Sequence, residues 1–191
     1  KSYIESQAMP IVVKANGLAA GKGVFIAHNK SEAFNAIDDM LLHKKFGSAG
    51  DSIIIEEFLE GREASFFVLS DGDTVISLGF AQDYKPIFDG NKGPNTGGMG
   101  SYSPVNFIDV DIELKIKNIA LQTINAMKEE GRPYKGVLYL GLMLTDAGAK
   151  LLEYNVRFGD PECQVIFPRI KNDILDVLLS VSKGELNKFS N

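Results

Sequence analysis

The sequence predicts an α+β fold, in which antiparallel hairpins mix with helices instead of alternating strictly with them around a parallel sheet. Three observations predict it. Asp71-Gly72 separates two runs rich in aromatic and β-branched residues, the strongest short-range hairpin signal. Asp146-Ala147-Gly148-Ala149 joins two further apolar runs in the same manner. Segment 109–130 carries apolar residues at helical spacing, and 172–181 reads as a further helix.

The elements follow in order. Residues 10–15 form a short β-branched run bounded by Pro10 and Asn16-Gly17, which predicts a buried strand, and 24–28 predict the next. Ser31 is expected to open a helix: its hydroxyl can cap free amides and Glu32 suits the positive first turn. Ala33, Phe34, Ile37, Met40 and Leu41 supply that helix's apolar face, and the glycines of 47–50 end it. Residues 52–56 predict a strand and 58–61 a connector. The first hairpin pairs 63–69 with 74–80. Residues 82–104 show no periodicity and much glycine and proline, so a long functional loop is expected there. The helix at 109–130 presents Ile112, Ile116, Ile119, Ala120 and Thr123 along one side. The second hairpin pairs 137–145 with 150–156, and 172–181 form the last helix.

Composition bounds the function. A chain of 191 residues is one domain, or two small lobes sharing a core. With 45% hydrophobic and 24% charged residues it is globular, which excludes disorder, collagen and coiled coil for the whole. The net charge of −5 and the lack of a basic stripe argue against nucleic acid as a partner. Cys163 is the single cysteine, so no intrachain disulfide forms, which suits a reducing, cytoplasmic setting. The longest apolar run, 137–144, is far short of the ~20 residues that cross a bilayer. No signal peptide and no membrane partner are expected. A start at Lys1, inside what reads as the tail of an amphipathic segment, suggests a piece of a longer protein. The 19 glycines cluster at 17–23 and 90–100, where turns or close approach to a ligand are expected.

Several segments could carry chemistry. In Glu153-Tyr154-Asn155-Val156-Arg157 alternate side chains share a face. A carboxylate and an amide oxygen two residues apart suit a hard cation, and the guanidinium next in the row suits phosphate. A solvated strand face would look the same. Lys14-Ala15-Asn16-Gly17-Leu18-Ala19-Ala20-Gly21-Lys22-Gly23 invites a phosphate-loop reading, but its spacing fails and a strand follows where a helix is required. A glycine loop between strands can still fold over phosphates through its amides, with Lys14 at a strand end as the better-placed cation. In Glu56-Glu57-Phe58-Leu59-Glu60-Gly61-Arg62-Glu63, Phe58-Leu59 could frame an adenine edge and Glu63 a ribose; an acidic surface turn is the alternative. Pro94-Asn95-Thr96-Gly97-Gly98-Met99-Gly100-Ser101-Tyr102-Ser103-Pro104 offers free amides and small hydroxyls to an anion or small polar substrate, unless it is a linker. Phe158-Gly159-Asp160-Pro161-Glu162 is a tight turn that makes Asp160 and Glu162 candidates for the same site. His28 and His43 have no spaced partner for a triad or zinc site.

Together these segments resemble the ATP-grasp domain of the phosphoribosylamine–glycine ligase family, from about residue 9 to 181. The specific parts are segment 94–104, similar to the family's signature loop, and Arg157-Phe158-Gly159-Asp160-Pro161-Glu162 with Gln164. The resemblance implies two lobes with antiparallel sheets holding ATP between them, 1–58 and 59–191. It implies ATP contacts for Lys14, Ala20, Gly21, Lys22, Gly23, Glu56, Phe58, Leu59 and Glu63, and magnesium or manganese ligation by Glu153 and Asn155. Arg157 would be catalytic, stabilising charge during phosphoryl transfer. Asp83, Lys85, Asn95, Thr96, Gly97, Gly98, Gly159 and Asp160 would lie near the acceptor substrates, glycine and 5-phosphoribosylamine. The remaining domains of a parent enzyme would pack against the chain. Asn16 stands where the family usually has Asp, Tyr84 and Pro86 where it has His and Arg, and Gly141-Leu142-Met143 where many ATP-grasp enzymes place a second acidic ligand.

Overall fold

The computed structural model describes residues 1–19, 22–90 and 92–189, and of Asn95 the backbone alone. The chain divides into two units, Lys1–Glu60 and Gly61–Asn191, two residues beyond the boundary expected from sequence.

In the first unit a helix covers a small antiparallel sheet. Strand β1 (Ile11–Ala15) lies at its centre, flanked by β2 (Val24–Ala27) and β3 (Ile53–Glu57). Side chains alternate along β1, so Ile11 and Val13 point inward while Val12 and Lys14 take the other face. The inward pair packs on Ile4 of α1 (Ser2–Glu5) and on Ala33, Ala36, Ile37 and Met40 of α2 (Lys30–Leu41). Phe34 and Leu41 pack only partly buried at its margin. The cap of α2 is Asn29, not Ser31. Asn29 accepts a hydrogen bond from the Glu32 amide, and the Glu32 carboxylate accepts from the Asn29 side chain and the His28 amide. That reciprocal arrangement, spaced three residues apart, satisfies more end donors than a cap at Ser31 could.

The second unit is built on a five-stranded antiparallel sheet. Its strands are β4 (Arg62–Asp71), β5 (Val75–Asp83), β8 (Ser101–Tyr102), β9 (Lys135–Thr145) and β10 (Gly148–Asn155), in the order β10-β9-β4-β5-β8. Helices cover both faces, so β4 is buried almost continuously. Phe66, Val68, Leu138, Leu140 and Leu142 pack on Ile116, Ala120 and Ile124 of α3 (Val110–Glu129). On the opposite face Phe67, Ala81 and Tyr139 meet Ile166 of α4 (Glu162–Ile166). Leu69 on that face meets Val177 and Val181 of α5 (Ile174–Lys183). Asp109 caps α3 and Asp173 caps α5, so both helices begin one to two residues from their expected starts.

Residues 82–104 differ most from expectation. Among the described residues they are a folded extension of β5, not a long irregular loop. β6 (Pro86–Phe88) pairs with β7 (Lys92–Asn95), and β8 returns against the end of β5. Hydroxyls complete the attachment: Ser101 Oγ donates to the Gln82 carbonyl, Ser103 Oγ to the Phe80 carbonyl, and Tyr102 to Gln82 Oε1 at 2.6 Å. These bonds hold small polar residues and glycine in place, so they leave no hydrophobic period in the sequence.

Asp71, at the tip of the first hairpin, is 3% exposed and its carboxylate accepts three backbone N–H bonds. Two come from Asp73 and Thr74 of the turn, and the third from Leu186 in the 3-10 turn Leu186–Phe189. Burial alone would raise its pKa, but the donors from Thr74, Leu186 and Asp73 outweigh it and hold the carboxyl below its ordinary value. A depressed carboxyl contributes its stability fully above the unfolded value, about 4, and loses it as pH falls through the folded one. Asp71→Ala is expected to cost about 3 kcal/mol in urea melts at pH 7. The gap between wild type and variant should begin to narrow below about pH 4, where the unfolded carboxyl protonates, and close as pH falls through the lowered folded value.

Candidate functional site

An irregularity in β10 decides what faces the site. Before it, Lys150 pairs with Met143 and Leu151 with Leu142; after it, Glu153 pairs with Gly141, Tyr154 with Leu140 and Asn155 with Tyr139. The extra residue at Leu152 shifts the alternation by one. Without it Leu152 would stand where Glu153 stands. With it, Glu153 and Asn155 share the face of Ser65, Gly141 and Tyr139, while Tyr154 turns to α3 and meets Thr123 Oγ1 at 2.6 Å. Asn155 Nδ2 donates to Glu153 Oε1 at 3.0 Å, which brings the two expected metal ligands together. Gly141 makes room for them, because a Cβ there would lie 3.2 Å from Glu153 Cγ.

Arg157 departs from the expected row. The ladder with β9 ends at Asn155, and the chain bends through Val156 and Arg157. The guanidinium donates locally, from Nη1 to the Phe158 carbonyl at 2.9 Å, and is exposed. Alternation carries a side chain's direction only as far as the pairing that enforces it.

Three other candidates gather on one side of the second unit. Lys85 Nζ bonds Glu63 Oε2 at 3.0 Å and Asp83 Oδ1 at 3.2 Å. Burial would lower the Lys85 pKa, yet the adjacent Glu63 and Asp83 carboxylates overcome it and raise the value. Lys85 is thus a fixed cation tied to two acids. The signature segment attaches beside it: the Thr96 amide and Oγ1 both donate to the Lys85 carbonyl, at 2.7 and 2.8 Å, and the Gly98 amide donates to Thr96 Oγ1. Gly97 lies open, with no atom within 4 Å of a Cβ placed on it. Gly98, at φ +136°, would drive a Cβ to 2.5 Å from Pro161 Cδ. The two loops expected to serve the acceptor substrates therefore touch at Gly98 and Pro161. Asp160 is exposed and accepts from Gln164 Nε2 at 2.7 Å, while Gly159 is buried.

In the first unit Lys14 and Glu56 form an ion pair at 2.5 Å across β1 and β3. They share their sheet face with Val24, Ile26 and Ile54, which are 41–51% exposed. A cation, a carboxylate and an uncovered apolar surface on one face suit a ligand with a flat apolar part and an anionic part. Phe58 and Leu59 follow β3 directly and are half-buried. Lys22 is exposed and Gly23 buried. Ala20, Gly21 and the side chain of Asn95 lie outside the described residues.

Sequence reasoning missed Ser65 and Tyr139 and misplaced Glu162. Glu162 is 3% exposed, so it underlies the site instead of lining it. Its Oε1 accepts from Tyr139 at 3.0 Å, and Ser65 Oγ lies 2.7 Å from the Tyr139 oxygen. Burial pushes the Tyr139 pKa up, helped by Glu162 and Asp83 and opposed by Ser65 and Lys85, so the phenol stays a donor at neutral pH. A serine and a tyrosine inside otherwise apolar strand runs were the available signal.

The family model for the phosphoribosylglycinamide synthetase ATP-grasp (A) domain matches residues 1–163. A phosphoribosylamine–glycine ligase of Vigna unguiculata is 52% identical, over all of this chain and 62% of its own length. One from Halalkalibacterium halodurans is 50% identical over 97% of this chain and 44% of its own. The crystal structure of a Thermotoga maritima phosphoribosylamine–glycine ligase superposes with a TM-score of 0.89 at 39% identity, covering 96% of this chain and 46% of that one. A Campylobacter jejuni biotin carboxylase in complex with an ATP analogue shares the fold alone, with a TM-score of 0.71 at 17% identity. The chain thus spans less than two thirds of the length of these ligases. With the α+β architecture, the Glu153–Asn155 pair and the two touching loops, the match places this chain in the phosphoribosylglycinamide synthetase ATP-grasp (A) domain family.

Proposed function

We propose that this chain is the ATP-grasp segment of a phosphoribosylamine–glycine ligase, which joins glycine to 5-phosphoribosylamine at the expense of ATP. The observation that carries the reading is the face on which Glu153 and Asn155 meet, beside Glu63, Asp83 and Lys85 of the same sheet region. A purely structural sheet gains nothing from such a set of charges at its surface.

On this reading Lys14 would bind phosphate, the loop around Lys22 and Gly23 would cover phosphate, and Glu56, Phe58 and Leu59 would frame adenine. Glu63 would hold the ribose hydroxyls. Glu153 and Asn155 offer a carboxylate and an amide oxygen, the donor set of a hard divalent cation such as magnesium. Among the described residues no group of three or more His, Cys, Asp or Glu could hold a metal, so phosphate oxygens and water would complete the shell. The ion supplies charge neutralisation on the phosphates.

The reaction needs two displacements. A glycine carboxylate oxygen attacks the γ-phosphorus, the bond to the bridging oxygen breaks, and ADP leaves. The 5-phosphoribosylamine nitrogen then attacks the carbonyl carbon of glycyl phosphate, the amide bond forms, phosphate departs and the nitrogen loses a proton. Activation is required because a carboxylate oxygen is a poor leaving group and phosphate a good one. The protein's part is positioning and charge stabilisation. Arg157 would have to leave its local bond to the Phe158 carbonyl to stabilise charge on the transferring phosphoryl group, while Lys85, Asp83, Asp160 and the Thr96-Gly97-Gly98 backbone would orient the acceptors. Closure over the acyl phosphate would exclude water, which would otherwise hydrolyse it.

Isothermal calorimetry with a non-hydrolysable ATP analogue and magnesium tests the nucleotide reading on this chain. Binding is expected, and Glu153→Ala should weaken its metal-dependent part by about tenfold, roughly 1.4 kcal/mol, with far less effect from Glu162→Ala. No heat above the dilution blank at millimolar ligand would overturn the reading, and equal losses would show that the ligands are misassigned. Glycine-dependent ADP release is expected from a longer polypeptide that joins this segment to the further domains of its relatives, and little from the 191-residue chain alone. Robust turnover by the chain alone would refute the need for those domains.

A further inference from the structure

Glu162 stands out among the groups that the proposed chemistry does not use. A carboxylate removed from water is costly unless it is paired or hydrogen-bonded, by several kcal/mol on the usual scale. Its setting is specific. Tyr139 of β9 donates to Oε1 at 3.0 Å, and Ser65 of β4, 2.7 Å from the phenolic oxygen, can donate to Tyr139 in turn. Ser65 Oγ also lies 3.4 Å from Glu162 Oε1, so its one proton can go to the carboxylate directly instead of to Tyr139. The carboxylate's other oxygen lies against Gly159, close enough that a Cβ at 159 would collide with it. Gly159 therefore has to be glycine for the acid to sit where it does.

These contacts join both acceptor loops to the middle of the sheet. Residues 159–161 sit directly before Glu162, and Pro161 is the surface on which Gly98 packs. Gly98 is in turn hydrogen-bonded to Thr96, and Thr96 to the Lys85 carbonyl. Tyr139 also lies within electrostatic reach of Lys85 and Asp83. We propose that Glu162 is a positioning residue. Its buried carboxylate, anchored by Tyr139 and Ser65, pins the Gly159-Asp160-Pro161 turn and, through Pro161 and Gly98, the Thr96-Gly97-Gly98 segment, so that the acceptor substrates meet preset loops. It touches no substrate itself. The inference rests on the ligase reading above and assigns to that site a support that acts on the acceptor side, not on ATP.

The test uses the longer, turnover-competent polypeptide and three variants. Tyr139→Phe deletes one oxygen and keeps the ring that packs on Phe67 at a centroid distance of 4.5 Å, so folding is preserved. Glu162→Gln keeps an oxygen that can accept from Tyr139; Glu162→Ala keeps none. The glycine KM should rise about tenfold in Tyr139→Phe and more in Glu162→Ala, with Glu162→Gln partly rescued. Affinity for the ATP analogue should stay within about twofold of wild type. The Tyr139→Phe/Glu162→Ala double variant should be no worse than Glu162→Ala, because both remove the same anchor. A wild-type glycine KM in Tyr139→Phe, or an equal loss of nucleotide affinity, overturns the inference while wild-type turnover leaves the ligase reading standing. A wild-type protein with no glycine-dependent ADP release overturns both.

Discussion

The second unit depends on one ladder, the antiparallel pairing of β4 with β9. It runs without a break from Arg62 opposite Leu144 to Asp71 opposite Lys135. Both strands are covered on both faces, so a slip of one residue would exchange Phe66 and Leu140 with Ser65 and Tyr139 across the sheet. The large apolar side chains that fill the α3 side make that exchange prohibitive. Register set by packing is thus also the register that delivers two hydroxyls, and the space above Gly141, to the opposite face.

The functional face is then corrected locally. β10 follows β9 from the tight turn at 146–147, but the shift at Leu152 reverses its alternation partway along. Before the shift Ala149 packs against the core on the α3 side, and the polar pair Glu153–Asn155 follows the shift. Such a device gives one strand two sets of facing rules, at the cost of a local break in the ladder. Polar groups beneath the site are treated with equal economy. Ser65, Tyr139 and Glu162 satisfy each other in one hydrogen-bonded cluster, and among the described residues no buried side-chain polar atom lacks a partner.

Much of this was legible in the sequence. Both hairpins follow from their turn residues, and α3 from the helical spacing of its apolar residues. The Glu153–Asn155 pair was readable because alternation between residues two apart holds on either side of the shift. What escaped has one character. The cap at Asn29, the attached extension at 82–104 and the support at Glu162 all depend on hydrogen bonds from polar side chains or backbone, and these carry no periodic signal. Arg157 escaped for a related reason, since nothing in the residues marks where pairing with β9 stops.

The sequence by itself therefore determined the α+β class, the hairpins, the family and the residue types on offer as candidates for phosphate, metal and small polar substrates. Those are consequences of residue type and short spacing. Only the tertiary structure decided which of them meet. Ser65, Tyr139 and Glu162 are 74 and 23 residues apart along the chain and within hydrogen-bonding distance in space. Gly98 and Pro161 belong to loops separated by a helix and three strands, yet they touch. Burial is the physical reason: whether a glutamate lines a site or supports it depends on what covers it, and covering is a property of the packed sheet.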